Sequence, residues 1–538
     1  VVLLKNNGDI LPLKRLDTLR IHVEPSDDPL ISYLSRYMPI DQGTASNLLI
    51  TTDPRTRNTS ANKKILILFG IDGLTASDTL SFDAIIYTGS DSNEIKDKVS
   101  QIIFGGLAAT DTLASDLGPF ATGSGLNSPG GLRFGFTTAE KLGYDGEYLR
   151  TGIDSIALMA IDSGVAPGIQ VLIAKDGQVV YHQTYGYLTY ENQVEVQKDM
   201  LYDFASVTKI TGALPALMKL HDENKFDLDA TMGTYIDYFD KGNKKDLQYR
   251  QILSHNAQLK AWIAYWTTTT KKNGKYKRKT LSEEPSEDYS VQLVDGLYLH
   301  NDYKSQIYKQ IRKSPLNEEP GYVYSGLSFY LYPEIVEVLS NQDYETYLKS
   351  NFYRPLGANT LTYKPLRYFP KEKIIPTEID TFFRDTPLHG VVHDEGAAMM
   401  DGVSSNAGLF GTTLDLAKLM QMYLWKGQYG GERYISTTTI EKFTSCHYCQ
   451  QGNRRGLAFD KPVLGDKSLG STAVDASDHS FGHSGYTGTF AWADPDNGIL
   501  FIFMSNRVYP TRANRKLYQL NIRPAMHQII YDAMSNKQ

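Results

Sequence analysis

Between residues 148 and 163 the apolar positions Leu149, Ile153, Ile156, Ala157, Ala160 and Ile161 recur on one helical face, and Gly164 stops the run. Two apolar or alternating stretches, 170–174 and 179–185, then flank Lys175-Asp176-Gly177-Gln178, the pattern of a β-hairpin. Similar elements close the chain: a strand pattern at 488–493, a turn at 494–498, an apolar run at 499–504 and a helix from 524 to 534. Both ends of this unit are expected to join one antiparallel sheet flanked by terminal helices. Residues 205–425 read as mostly helical, most clearly at 414–424.

A different pattern occupies the start. Residues 1–4, 65–69 and 84–87 have the length and apolarity of strands, and 94–103 has helical spacing before Gly105-Gly106. Alternating strand and helix predict an α/β unit with a partly parallel sheet. The stretch 121–131 is rich in Gly, Ser, Thr, Asn and Pro and reads as a linker. The expected organisation is therefore a small α/β sandwich domain at 1–120, a linker at 121–144, and a second domain at 145–538. The fold class is α/β.

Composition narrows the function classes. With 538 residues, 41% of them hydrophobic and 22% charged, the chain can bury large cores, which excludes a disordered or collagen-like protein. The 55 basic and 61 acidic residues give a net charge of -6, so nothing global favours nucleic acid or an anionic membrane. No apolar run approaches the roughly 18 residues of a membrane span. The expected partner is a small-molecule or polymer-derived substrate, with no nucleic acid, no membrane span and the oligomeric state open. The chain starts at Val1 without a recognisable leader, so a removed leader or a longer upstream part is expected.

Several local features have plain readings. Lys271, Lys272, Lys275, Lys277, Arg278 and Lys279 precede Glu283, Glu284, Glu287 and Asp288, which reads as a solvated loop in preference to an anion-binding patch. Cys446 and Cys449 form a C-x-x-C that reads as a local thiol pair or small-loop disulfide, since zinc would need a second ligand pair. His393-Asp394-Glu395 lacks a helical H-x-x-x-H spacing and reads as a hydrogen-bonded loop. His255 reads as structural. Gly105-Gly106 is followed by neither Lys-Ser/Thr nor a helix pattern and is no phosphate loop. Neither a metal nor an organic cofactor is expected.

The candidate chemistry lies at Ser206-Val207-Thr208-Lys209, which leads into an apolar helix pattern at 210–220. An S-x-x-K puts Ser206 and Lys209 one turn apart, so the amine can reach the hydroxyl. A Ser hydroxyl is a poor nucleophile until a base takes its proton, and a desolvated Lys can serve. Helix N-terminal amides also favour negative charge near Ser206. Taken alone the tetrad also fits an N-cap Ser. Two later stretches change that: Tyr324-Ser325-Gly326 before an apolar run, and His483-Ser484-Gly485-Tyr486 in a Gly-rich strand pattern.

In this order and spacing, and with Ile252-Leu253-Ser254-His255-Asn256 and Asn406-Ala407-Gly408 between them, residues 145–535 resemble the penicillin-recognising serine hydrolases. That group includes class C β-lactamases, DD-peptidases, D-aminopeptidases and esterases. The resemblance implies a β-lactamase-like domain, an antiparallel sheet flanked by helices plus a mostly helical subdomain. It implies Ser206 as nucleophile, Lys209 as its proton acceptor and Tyr324 as a proton shuttle to the leaving group. It also implies His483 beside the substrate, an oxyanion hole from the Ser206 and Tyr486 amides, and substrate contacts along Ser484 and Gly485.

Two positions depart from the pattern: Gly326 stands where many relatives have Asn, and His483 where β-lactamases usually have Lys. With a reference pKa of about 6.5, an imidazole facing substrate is expected to change charge near neutral pH and to anchor a carboxylate less firmly than an ammonium. An ester or amide hydrolase is favoured. A small-molecule carboxylesterase, a weak β-lactamase and an inactive binding or sensor domain remain as alternatives.

The opening residues 1–13 resemble the start of the C-terminal α/β domain of family-three glycoside hydrolases, with weaker likeness at 83–86 and 103–107. The nucleophilic Asp of that family lies in a preceding barrel absent from this sequence, so the resemblance implies no glycosidase activity here. It implies a fusion to a β-N-acetylglucosaminidase-like module, peptidoglycan as natural material, and a bacterial periplasmic or exported location.

Overall fold

The computed structural model describes residues 1–538 except 41–45, 57–60, 71–73, 192–193 and 536–538. The first sheet contains β1 (Val2–Asn6), β2 (Ile21–Glu24), β3 (Leu48–Thr51), β4 (Lys63–Phe69) and β5 (Ala84–Thr88) in the order β1-β5-β4-β3-β2. Neighbours run parallel except β1, which is antiparallel to β5. Apolar clusters cover both faces: Ile65 and Ile67 point to one, Leu66 and Leu68 to the other. Burial on both sides explains why β4 reads as an uninterrupted apolar run. A helix at Asn93–Phe104, capped by Ser92 and ended by Gly105 at φ 76°, packs on the first of these faces.

Residues 126–136 run from the first sheet to a second. The Leu126 amide donates to the Leu3 carbonyl at 2.7 Å. Arg133, 1% exposed, donates from Nη1 to the carbonyls of Leu13 (2.6 Å) and Phe104 (2.9 Å) and from Nη2 to that of Lys14 (2.6 Å). Two residues further on, β6 (Gly135–Phe136) pairs parallel with an edge strand of the second sheet.

That sheet contains β6, β7 (Gly168–Lys175), β8 (Gln178–Gly186), β9 (Phe481–Ser484), β10 (Phe490–Asp494) and β11 (Ile499–Ser505) in the order β9-β10-β11-β7-β8-β6. All pairs but β6–β8 are antiparallel, so the hairpin after the opening helix and the closing strands share one sheet, as their patterning predicts. Helices Gly146–Asp162 and Ile522–Ser535 pack on one face. The helical subdomain covers the other. Its helix Thr413–Leu424 lies against the sheet, and the helix Leu214–Asp222 buries Leu214, Ala216, Leu217, Met218 and Leu220 completely. The candidate residues collect where the edge strand β9 meets this subdomain.

Candidate active site

Ser206 sits in a short 3-10 turn, Ala205–Val207, followed by a π turn at Lys209–Ala213 that runs into the buried helix. Ala205 adopts φ 45°, a left-handed conformation that is costly for a residue with a Cβ. Surrounding bonds hold it there. The Asp203 carboxylate accepts the Ala205 amide (2.8 Å) through Oδ1 and the His393 amide (2.7 Å) through Oδ2. Thr487 and Thr489 donate their hydroxyls to the carbonyls of Asp203 (2.8 Å) and Phe204 (2.9 Å). The stretch after β9 is thereby locked to the serine turn. Burial pushes the Asp203 carboxyl up, opposed by the two amides it accepts.

Lys209 is 2% exposed, and its Nζ lies 3.0 Å from Ser206 Oγ and 2.8 Å from the Asn406 carbonyl. The rings of Tyr324 and Phe329 flank the ammonium position at 5.4 and 5.2 Å from their centroids. The Asn406 side chain is fixed in turn by Asp394 (3.0 Å) and the Tyr330 hydroxyl (3.2 Å). An amine so placed can exchange a proton with the Ser206 hydroxyl without moving.

Tyr324 reaches the same spot from a loop held by His255. The His255 Nδ1 accepts the Ser325 amide at 3.1 Å, and its ring lies 4.6 Å from that of Tyr324. Ser325 Oγ donates to the Lys260 carbonyl (2.6 Å), and the Gly326 amide to that of Ala261 (3.1 Å). A side chain at Gly326 would meet nothing within 4 Å, so this departure from the family pattern leaves open space.

His483, on β9, has its ring centroid 5.9 Å from that of Tyr324 and its Nδ1 2.7 Å from the Ser484 carbonyl. Burial, with the nearby charges of Arg455 and Lys209, lowers its pKa to about 3. This corrects the expectation of an imidazole that titrates near neutrality: His483 is neutral throughout that range. The cation beside it is Arg455, which sequence reading did not single out. Its guanidinium lies 5.1 Å from the Tyr324 ring centroid and 3.4 Å from Asp460 Oδ1. Burial opposes its charge, but Asp460, Tyr322 and Tyr324 outweigh this and hold its pKa above the ordinary value. No motif surrounds Arg455 in the sequence, so only the fold reveals it.

Ser484, Gly485 and Tyr486 continue from β9 past the serine turn. The Gly485 amide is taken by the Thr489 carbonyl at 2.7 Å, whereas the Tyr486 amide makes no hydrogen bond among the described residues. Tyr486 is 43% exposed, with its ring between His393 (5.8 Å) and the Arg507 guanidinium (4.7 Å). His393 Nε2 is 2.7 Å from Glu378, which Arg512 also contacts, so His393 and Glu395 belong to an ion-paired cluster. Cys446 and Cys449 form a disulfide.

Four buried polar atoms around this spot lack hydrogen-bond partners among the described residues: Tyr324 Oη, His255 Nε2, His483 Nε2 and Arg455 Nη1. Buried polar atoms are paired in about nine cases of ten, so these four on neighbouring side chains leave donors and acceptors that a polar ligand can satisfy. A family model described as Beta-lactamase matches residues 156–523. The chain belongs to the beta-lactamase family.

Among the curated relatives of this beta-lactamase-family hydrolase, one from Escherichia coli O157:H7 named "Putative D-alanyl-D-alanine carboxypeptidase" is 31% identical over 399 residues, 69% of this chain and 85% of that protein. One of the same name from Salmonella enteritidis is 30% identical over 406 residues, 70% and 87% of the two. Among solved structures, "EstCE1, a hydrolase with promiscuous acyltransferase activity" superposes with a TM-score of 0.52 at 19% identity, covering 71% of this chain and 99% of that one. The likeness to EstCE1 shows the fold alone. The first sheet lies outside the family match.

Proposed function

We propose that this beta-lactamase-family hydrolase is a D-amino-acid carboxypeptidase acting on peptidoglycan-derived peptides through an acyl-Ser206 intermediate. Ser206 Oγ attacks the scissile carbonyl while Lys209 takes its proton. The Tyr324 hydroxyl passes a proton to the departing amine, and the oxyanion is received by the Ser206 and Tyr486 amides. Water then attacks the acyl group and regenerates Ser206.

The observation that carries this reading is the unpaired Arg455 Nη1 beside Tyr324 and His483. A buried guanidinium with a free N–H suits the terminal carboxylate of a peptide, which a neutral ester lacks. The relatives' printed names agree with it. The disulfide fits an oxidising, periplasmic or exported location. Residues 1–120 we read as a glycosidase auxiliary domain and 145–538 as the hydrolase, on sequence resemblance.

The test is intact-mass labelling with a penicillin, followed by peptide mapping and D-alanine release from a D-Ala-D-Ala peptide. An adduct on Ser206 that disappears in Ser206→Ala, with turnover reduced by several orders of magnitude, is expected. An adduct on another residue, undiminished in that variant, refutes the assignment.

A further inference from the structure

The charge block at 271–288 has six cations followed by four carboxylates, and the fold brings Lys277, Arg278 and Lys279 to a cavity that none of those carboxylates lines. A cavity of about 770 Å³ opens between residues 260–280 and the helix Tyr303–Lys313. Lys260, Lys277, Arg278, Lys279, Lys309 and Lys313 line it, and no carboxylate does. None of the six is ion-paired with an Asp or Glu among the described residues. Ile263 and Tyr303 give it apolar wall. Beneath its end, the Lys244 ammonium donates to the Ser314 carbonyl at 2.5 Å and adds a further positive charge.

Folding does not account for this convergence. Lys309 and Lys313 stand one turn apart on one helix face, where like charges repel. The helix dipole favours Lys313 in the last turn but has no bearing on Lys260 or on Lys277, Arg278 and Lys279, which come from other segments. Six cations in a concave, partly apolar setting raise the local concentration of anions more than the same charges spread over a convex surface. The groove also adjoins the active site, because the carbonyls of Lys260 and Ala261 hold Ser325 and Gly326 next to Tyr324.

We propose that this groove binds a linear ligand carrying several closely spaced phosphate or carboxylate groups. The inference stands apart from the acyl-enzyme reading, since none of the six cations belongs to that machinery. Calorimetric titration of the full chain with tripolyphosphate and with hexaglutamate tests it, each at low and high salt. The parent is expected to bind at least one probe, with affinity reduced about tenfold or more by Lys309→Glu/Lys313→Glu and by high salt. Binding of tripolyphosphate alone identifies a phosphate-bearing ligand, and of hexaglutamate alone a carboxylate-bearing one.

Lys271→Glu/Lys272→Glu, in the same loop but outside the cavity, should keep most of the affinity, and neutral-ester turnover should stay at the parent level in both variants. If the helix variant does not fold, Arg278→Gln/Lys279→Gln at two exposed positions carries the same expected loss. Absence of binding by both probes, or an equal loss in the Lys271/Lys272 control, overturns the proposal.

Discussion

On the proposed reading, Arg455 and His483 divide between them a task that a single ammonium could perform: Arg455 brings a permanent charge, His483 a neutral ring. Their protonation states do not change between pH 5 and 9, so a carboxylate-bearing peptide and a neutral ester should show kcat/KM profiles whose ratio is flat over that range. A ratio falling with a midpoint near 6.5 would reveal an imidazolium instead. Replacing Arg455 by Met should lower kcat/KM for the carboxylate substrate by about 30- to 100-fold, roughly 2–3 kcal/mol for a buried charge-assisted bond, and that for the ester far less. Arg455→Lys should recover part of the loss, because it restores the charge without the fork. Equal losses on both substrates would mean that Arg455 only supports the fold.

Among the elements, β9 and the serine turn behave as one part. A Cβ on Gly485 would stand 2.0 Å from Thr489 Oγ1 and 2.5 Å from the Phe204 carbonyl, against the backbone that leads into Ser206. Gly485→Ala must therefore push β9 away from the turn that Ala205 strains to make. The expected result is at least a tenfold fall in acylation rate, since angstrom displacements at a reacting centre cost about that much or more. A burst experiment with a chromogenic ester reads it directly, and an unchanged burst would show that the turn does not depend on this contact.

The same elements show what the sequence could reveal. Ser206, Lys209, Tyr324 and His483 were legible because each stands in a short motif whose neighbours also bear on the chemistry. The sheet was legible from strand alternation at both ends of the domain. Arg455 stands in no motif; Asn406 and His255 lie in stretches that carry the resemblance, but that the Asn406 carbonyl fixes Lys209 and that His255 backs Tyr324 rest on contacts between residues far apart in sequence. The 271–288 block reads as a solvated loop and residues 271–279 are exposed, but the sequence does not show that Lys277, Arg278 and Lys279 come to stand beside Lys260, Lys309 and Lys313.

For the whole molecule, four histidines whose pKa is strongly lowered by burial contribute to the response to acid. Burial lowers His182, His483 and His527 to about 3 and His255 well below its ordinary value. The unfolded chain binds their protons near pH 6.5 and the folded chain does not, so this stability is complete above that pH and declines as pH falls towards 3. The slope is at most about 1.4 kcal/mol per pH unit for each histidine. Melting temperature should therefore drop measurably between pH 7 and 5, and a flat curve there would mean that these rings are solvated or paired.

The domain proposal has its own test. A chain beginning at residue 145 loses β6 and the contact of Lys418 with the Tyr37 carbonyl, but Lys418 keeps Gly357 and Asp415. It should retain ester turnover with a melting temperature lower by roughly 2–4 °C per kcal/mol lost. An insoluble or molten product would show that the first domain completes the fold.

Residues 135–136 have one more consequence. An open sheet exposes two rows of unpaired amides and carbonyls, each a template for a strand from another molecule. Here Gly135 and Phe136 occupy the start of one outer row, against Gln178 and Val179. On the opposite side Asp460 exchanges both backbone bonds with Gly482, at 2.7 and 3.0 Å. A stray strand cannot zip along either border from that end, so the segment that joins the two sheets also guards the larger one against runaway edge-to-edge aggregation.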